Sequence, residues 1–221
     1  TNSIVLWVVN GYVLVRSALV FASGKLSDMF THGKAFLFGL FVLIISSIGC
    51  GLSNTIYSLI LFRGLQGLGA TFVFTSGMSL IADRYPKEKR GKIIAKVLSM
   101  ALIGMSITPI IGGLIVKYLN WRWVFYINAI IGFVALVFVL LDKREARPVQ
   151  GKFDWLGFLL IAIFTVCVNV SIQNSSLWGW DSAKLLTIFI FGLLALIIFI
   201  KIEYLKKNPL IDLRIFLLPN F

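Results

Sequence analysis

The sequence predicts an all-α protein that crosses a membrane several times. Hydrophobic residues make up 59% of the 221 residues, and charged residues make up only 14%. The mean hydropathy is +0.95. A soluble domain carries roughly 25% charged residues and has no apolar runs of about 20 residues, whereas this chain has several such runs. These observations together indicate a polytopic membrane protein.

Seven apolar runs are each long enough to cross a bilayer as a helix. We predict spans at residues 4–23, 35–52, 56–82, 93–116, 124–141, 156–172 and 185–200. The stretch at 142–155 is charged and resembles a linker. We therefore divide the chain into a bundle at 1–141, a cytoplasmic linker at 142–155, two additional spans at 156–202 and a cytoplasmic segment at 203–221.

The positions of the cations predict the orientation in the membrane. A net charge of +12 would suggest nucleic acid as a partner of a soluble protein, but here most Lys and Arg residues lie in connections on one side. The other side holds Lys117, Arg122 and Lys184. Cytoplasmic loops carry the excess of Lys and Arg, so we predict residue 1 outside and residue 221 in the cytoplasm. We expect contact with the lipid bilayer and no nucleic-acid partner.

A polar stretch at residues 24–34 separates the first two predicted spans. It begins at Gly24, ends at Lys34 and holds a single carboxylate, Asp28. Charges in such a loop can hold helices together and release them when they pair differently, so we predict a conformational latch there. His32 is the sole histidine, and it is either solvated at the membrane surface or a sensor of pH.

Two arginines lie inside the predicted spans. An Arg near the centre of a span costs about 2.5–3.5 kcal/mol on insertion scales, so it calls for an explanation. Arg16 either bonds to helix carbonyls or lines a cavity. Arg63 and Gln66 are three residues apart and share one helix face. Arg63 either ties its helix to carbonyls of a neighbouring helix or lies on a transport pathway or proton relay.

The fourth predicted span contains a groove of small residues. Gly104, Thr108 and Gly112 recur every four residues, and Gly113 lies beside them. Small residues allow membrane helices to approach closely, and Pro109 removes a backbone donor and bends the helix. A bent and grooved helix suits a hinge between moving bundles, although static packing uses the same features.

These motifs, in this order, resemble the major facilitator superfamily, specifically its 14-helix drug:proton antiporter branch. The resemblance covers nearly the whole chain and rests on Gly24, Leu26, Ser27, Asp28, Phe30, Lys34, Arg63, Gln66, Gly67, Gly69, Gly104, Pro109, Gly112, Gly113, Trp121, Arg122, Trp123, Asn128, the stretch 153–157 and the stretch 178–180. It implies that the seven spans are helices 2 to 8, namely an amino-terminal bundle without helix 1 and two extra helices. The chain departs from the family pattern at three positions. Met29 stands where the family usually has Arg, and Thr31 and Thr108 stand where it usually has Gly.

The resemblance implies a secondary transporter that works by alternating access, with its site near the midplane. It implies proton-coupled multidrug efflux from a bacterial inner membrane, with protons and a small amphiphilic substrate as partners and no cofactor. None of the nine acidic residues is central in a predicted span. We therefore expect the proton-carrying carboxylate outside this sequence, with Arg63 favouring its ionised form.

Three other function classes compete with this interpretation. A transporter of anionic amphiphiles without proton coupling stays open because Arg16 and Arg63 would give the site a cationic lining. A seven-helix receptor fits the number of spans, but no Lys lies inside the last span for a retinal Schiff base. An enzyme is not expected, because no nucleophile–base pair or metal-ligand cluster is present, and Cys50 and Cys167 lack the spacing of a metal site.

Overall fold

The computed structural model describes residues 2–141, 153–206 and 209–211. Seven helices follow one another along the chain: α1 (Asn2–Phe30), α2 (His32–Leu52), α3 (Ile56–Arg84), α4 (Lys87–Tyr118), α5 (Arg122–Leu141), α6 (Trp155–Trp178) and α7 (Ala183–Leu205). All seven are long and apolar enough to cross a membrane. The prediction of an all-α, polytopic membrane protein is confirmed.

Side-chain caps define where several of these helices begin. Thr55 and Ser58 form a capping box at the start of α3, in which each side chain bonds the other residue's backbone N–H. Asp154 accepts a hydrogen bond from Gly157 N at 2.9 Å and so caps α6. Gly179 ends α6 with a φ of 79°, a backbone conformation that glycine adopts without steric cost.

The core of the bundle is the packing of α3 against α1 and α2. Helix α5 covers another side of α2, while α6 contacts α1 and pairs with α7. The backbones of α2 and α3 meet at two glycines, because a Cβ built on Gly69 would lie 2.6 Å from Leu43 N and 2.8 Å from Gly39 O. Small residues at a crossing allow such close approach, which drives helix association in lipid.

Helix α4 stands apart from this core. None of its residues is buried, and its contacts within the described chain are limited to a few with α3 and α5. The helix continues through Pro109 without interruption. An apolar helix without a buried residue leaves most of its surface to lipid or to parts outside the described residues.

The predicted loop at residues 24–34 is wrong. Helix α1 continues to Phe30 and α2 begins at His32, so Thr31 alone separates them. Polar residues end a membrane span without ending a helix, and a single Gly costs only about 1 kcal/mol in a helix. The two helices are separated instead by one residue in a strained backbone conformation. Thr31 has a φ of 112°, and positive φ is unfavourable for a β-branched residue.

Two other boundaries differ from the predictions for the same reason. The predicted loop after α3 is reduced to Tyr85 and Pro86, because α4 begins at Lys87. Helix α7 continues to Leu205 and so includes the start of the predicted cytoplasmic segment at 203–221. The predicted linker lies mostly outside the described residues, and so do residues 212–221.

Candidate functional site

Arg63, in the first third of α3, connects three helices through hydrogen bonds. Its Nε donates to the carbonyl oxygen of Val8 on α1 at 2.9 Å. Its Nη1 donates to Oε1 of Gln66 at 2.8 Å, which places the two residues on one face as the spacing predicts. Gln66 Nε2 in turn donates to Oγ of Ser47 on α2 at 2.8 Å. The chain of bonds therefore runs from α1 through α3 to α2.

Two aromatic rings border the Arg63 guanidinium. Its central carbon lies 4.7 Å from the ring centroid of Tyr12 and 5.9 Å from that of Phe125. Both distances fall within the roughly 6 Å range of a cation–π interaction. No carboxylate of the described residues forms an ion pair with Arg63, so neutral oxygens and π-faces alone surround its charge.

Arg16 reaches the same tyrosine from the other side. Its Nη1 donates to the hydroxyl of Tyr12 at 3.3 Å, four residues earlier on α1. Its guanidinium also lies 5.7 Å from the ring centroid of Phe74 on α3. Arg16 is exposed within the described bundle. Tyr12 thus joins the two intramembrane cations, with its ring towards Arg63 and its hydroxyl towards Arg16.

Gly67 allows α1 and α3 to hold this arrangement. A Cβ built on Gly67 would lie 2.6 Å from the carbonyl oxygen of Tyr12. Real Cβ atoms do not come so close to a backbone atom, so any side chain at this position would push Tyr12 away from Arg63. The glycine beside Gln66 therefore sets the distance between the helices that carry the site.

A second polar cluster lies where α1 meets α2, around His32. Nε2 of His32 is 3.7 Å from Oδ1 of Asp28 and 3.6 Å from Oδ2 of Asp83 at the end of α3. Ser27 Oγ and His32 Nδ1 are 2.9 Å apart. The partner of the predicted latch carboxylate is therefore the histidine, which also contacts a carboxylate on α3.

The other two predicted latch residues are Gly24 and Lys34, and the Lys34 side chain makes no ion pair with Asp28. Gly24 is helical, and a Cβ added to it would meet nothing within 4 Å. The backbone N–H of Lys34 donates to Oγ1 of Thr31 at 3.3 Å, and the Lys34 side chain borders an apolar surface groove with Phe30 and Phe38. The structure thus brings Asp28 to His32 and leaves Gly24 and Lys34 at the edge of the cluster.

The small-residue groove of the fourth predicted span lies on α4 and is open. A Cβ on Gly104, Gly112 or Gly113 would meet nothing within 4 Å, and no described helix crosses at these glycines. Thr108 Oγ1 bonds back to the carbonyl of Gly104 at 2.7 Å. The predicted hinge role of this groove and of Pro109 stays a prediction.

No group of three or more His, Cys, Asp or Glu residues within the described part of the chain could hold a metal ion. Cys50 and Cys167 are free thiols. The polar groups described above are suited to hydrogen bonding and charge pairing within a membrane.

Comparison with known proteins identifies the family. The family model of the Major Facilitator Superfamily matches residues 1–208, which include all seven helices. The chain belongs to the Major Facilitator Superfamily. The seven apolar helices of this superfamily member make it a multi-pass membrane protein.

Several members of the superfamily from bacteria are similar to the chain. Multidrug transporter protein MdtP of Bacillus subtilis is 32% identical over 217 residues, which are 97% of this chain and 40% of the relative. Multidrug resistance protein 3 of Bacillus subtilis is 31% identical over 95% of this chain and 41% of the relative. Multidrug export protein EmrB of Haemophilus influenzae is 28% identical over 97% of this chain and 43% of the relative. The chain thus spans about two-fifths of their length.

The sequence offered a carbonyl of a neighbouring helix as one partner for Arg63, and the bond to Val8 O agrees with that alternative, but it did not identify which residues surround Arg63 and Gln66 in this superfamily member. The surrounding groups come from three other helices, namely Ser47, Tyr12, Phe125 and the carbonyl of Val8. The hydrophobic pattern within one helix does not show how that helix is aligned against α3. One local signal existed for Tyr12, because its spacing of four residues from Arg16 places both side chains on one face of α1.

Proposed function

We propose that this chain is the amino-terminal part of a secondary transporter that exports small amphiphilic compounds by alternating access and couples export to protons. The observation that carries the proposal is the match to the Major Facilitator Superfamily over nearly the whole chain, together with relatives named for multidrug resistance and multidrug transport. The protein is accordingly a transporter and not an enzyme. The bacterial names among the relatives support a location in the inner membrane.

The role proposed for Arg63 rests on its unpaired charge. Two of its N–H groups bond to Val8 and Gln66, and no carboxylate of the described residues neutralises it. A nearby cation favours the ionised form of a carboxylate. Arg63 would therefore tune a proton-carrying carboxylate supplied from beyond the described residues, with Gln66 fixing the guanidinium and Arg16 adding a second positive charge.

The role proposed for the cluster at His32 is that of a latch. Asp28 and Asp83 lie on different helices and both face one imidazole ring. Rearrangement of these pairs would let α1 and α2 shift against α3 during alternating access. The groove at Gly104, Pro109, Gly112 and Gly113 is proposed as the hinge surface of the same movement.

The orientation in the membrane is part of the proposal. The connections next to Thr31 and Pro86 lie in sequence stretches rich in Lys and Arg, and the positive-inside rule assigns them to the cytoplasm. Residue 1 would then face outside and residue 221 the cytoplasm. The lipid bilayer is the surrounding partner in this arrangement.

One observation favours a second candidate function, the transport of anionic amphiphiles without proton coupling. Both intramembrane cations converge on Tyr12, and this pair would attract an anionic group of a substrate. In this alternative, the substrate itself is the negatively charged partner of Arg63.

The test is proton flux in inverted membrane vesicles that carry the full-length protein. A dye that responds to the pH gradient is followed while lipophilic cations, and then anions, are added. Proton movement on adding cations supports proton-coupled efflux, and movement of labelled anions without proton flux supports the alternative. If well-expressed protein responds to neither class, both candidate functions are wrong.

A matched pair of variants assigns the role of Arg63 within this assay. Arg63→Ala should abolish transport at an unchanged protein level, because it removes the charge of the site. Lys117→Ala removes a charge outside the site and should transport normally. Normal transport by Arg63→Ala would contradict the relay role.

A further inference from the structure

Two carboxyl groups face each other where α6 begins and α7 ends, away from the site around Arg63. Asp154 caps α6, and Glu203 belongs to the last turn of α7 with an exposed fraction of 2%. A Cβ built on Gly157 would collide with Oε1 of Glu203 and lie 2.8 Å from Oδ2 of Asp154. The two carboxyl groups therefore border the same small space beside Gly157.

One cation serves both carboxyl groups. Lys206 Nζ lies 2.6 Å from each carboxyl oxygen of Asp154 and 4.0 Å from Oε1 of Glu203. Helix α7 packs against no described helix other than α6. The charged groups that face Glu203 from the described elements are thus Asp154 and Lys206, and their charges cancel.

The oxygens of Glu203 are unequally satisfied. Oε2 accepts a hydrogen bond from the backbone N–H of Ile211 at 3.0 Å, which holds residues 209–211 against the end of α7. Oε1 is buried and has no hydrogen-bond partner. A second negative charge buried here without its own cation is strongly unfavourable, whereas a proton on Glu203 removes the charge and supplies a donor.

Asp154 is the member of the pair that stays ionised. Burial opposes the ionised form, but the hydrogen bonds from Gly157 N–H and from the Lys206 ammonium outweigh it, so the pKa of the Asp154 carboxyl lies below its ordinary value. An ionised carboxylate beside a neutral carboxyl group is the usual state of two acids that share one site.

We propose that Glu203 and Asp154 form a carboxyl–carboxylate pair that binds one proton and, together with Lys206, fastens residues 209–211 to the start of α6. When Glu203 loses its proton, two negative charges face one lysine and repel each other. The fastening between α6 and the chain after α7 then opens. This proton site is separate from the network of Arg63 and does not depend on the transported compound.

Infrared spectroscopy of the purified full-length protein tests for the proton. The C=O stretch of protonated carboxyl groups is followed as the pH is raised in wild type, Glu203→Gln and the exposed control Glu88→Gln. Subtracting the Glu203→Gln trace from the wild type cancels all other carboxyl groups. We expect a residual band of one carboxyl group that disappears at alkaline pH, with Glu88→Gln matching wild type. Identical traces for wild type and Glu203→Gln would overturn the proposal.

Cleavage by trypsin after Lys206 tests the fastening. Each rate is divided by that of the denatured protein at the same pH, which removes the pH dependence of the protease. We expect the normalised rate of the wild type to rise about tenfold as Glu203 ionises, since loss of one charge-assisted contact changes an opening equilibrium by about that factor. Glu203→Gln, which stays neutral, should show no rise. An equal rise in both proteins would refute the fastening role.

Discussion

The crossing of α2 and α3 allows a quantitative prediction for Gly69→Ala. The new Cβ would lie 2.6 Å from Leu43 N, whereas ordinary van der Waals contact begins at 3.4 Å, so the helices must separate by 0.8 Å. A gap of 0.5–1 Å forfeits about a quarter to a half of the dispersion energy of each contact. Overpacking of this kind typically costs about 1–3 kcal/mol of the free energy of unfolding.

Helix propensity works in the opposite direction and must be subtracted. Ala is more favourable than Gly in a helix by about 1 kcal/mol. Gly91→Ala is the matched control, because Gly91 is helical and exposed, and its Cβ would meet nothing within 4 Å. The difference in unfolding free energy between the two variants isolates the steric term, which we expect to be about 1–3 kcal/mol.

The assay is reversible denaturant unfolding of the purified full-length protein, followed by intrinsic tryptophan fluorescence. Gly39→Ala, on the opposite side of the crossing, should destabilise the protein in the same way. The double variant should cost less than the sum of the single costs, because one separation relieves both clashes. If Gly69→Ala is as stable as Gly91→Ala, the close backbone approach is not a feature of the protein.

Three further predictions concern single residues. Arg63→Lys should lower transport, because an ammonium cannot hold Val8 O and Gln66 in the fork of a guanidinium; transport assays with protein-level controls measure this. Tyr12→Phe should leave stability within about 1.5 kcal/mol, the net value of a typical hydrogen bond, while Tyr12→Ala should cost more through the lost ring; unfolding titrations compare them, and equal costs would contradict a packing role for the ring. Thr31→Gly should raise stability by about 1 kcal/mol in the same titrations, since glycine tolerates the positive φ and loses only a few tenths at the cap.

The helices could be predicted from the sequence because apolar length alone defines a span. The same argument failed at the ends of the helices. Residues 24–30 are polar enough to leave the membrane, but hydrogen bonds within the helix continue to satisfy their backbone, and so α1 extends to Phe30. Hydropathy indicates which residues lie within the bilayer, whereas backbone conformation determines where a helix ends.

The partners within the site could be predicted only where they lie on one helix. The spacing of Arg63 and Gln66 placed both on one face of α3, which the bond of 2.8 Å confirms. Ser47 lies 19 residues before Gln66 and on another helix, and only the glycine crossings of α1, α2 and α3 set its position. Glu203 was missed for a related reason, because a charged residue after an apolar run resembles a solvated helix end until Asp154 and residues 209–211 cover it.

We propose that the charge of Arg63 has a purpose beyond joining helices. The carbonyl of Val8 and Oε1 of Gln66 need only hydrogen-bond donors, and a neutral donor would supply them without the cost of a cation at membrane depth. The π-face of Tyr12 contributes about 0.5–2 kcal/mol to holding a cation, and each hydrogen bond from a charged donor contributes about 1.5–3 kcal/mol, so these contacts can offset an insertion cost of about 2.5–3.5 kcal/mol. No carboxylate of the described residues pairs with Arg63, however, and we propose that a negative group from a further helix or from a substrate does so.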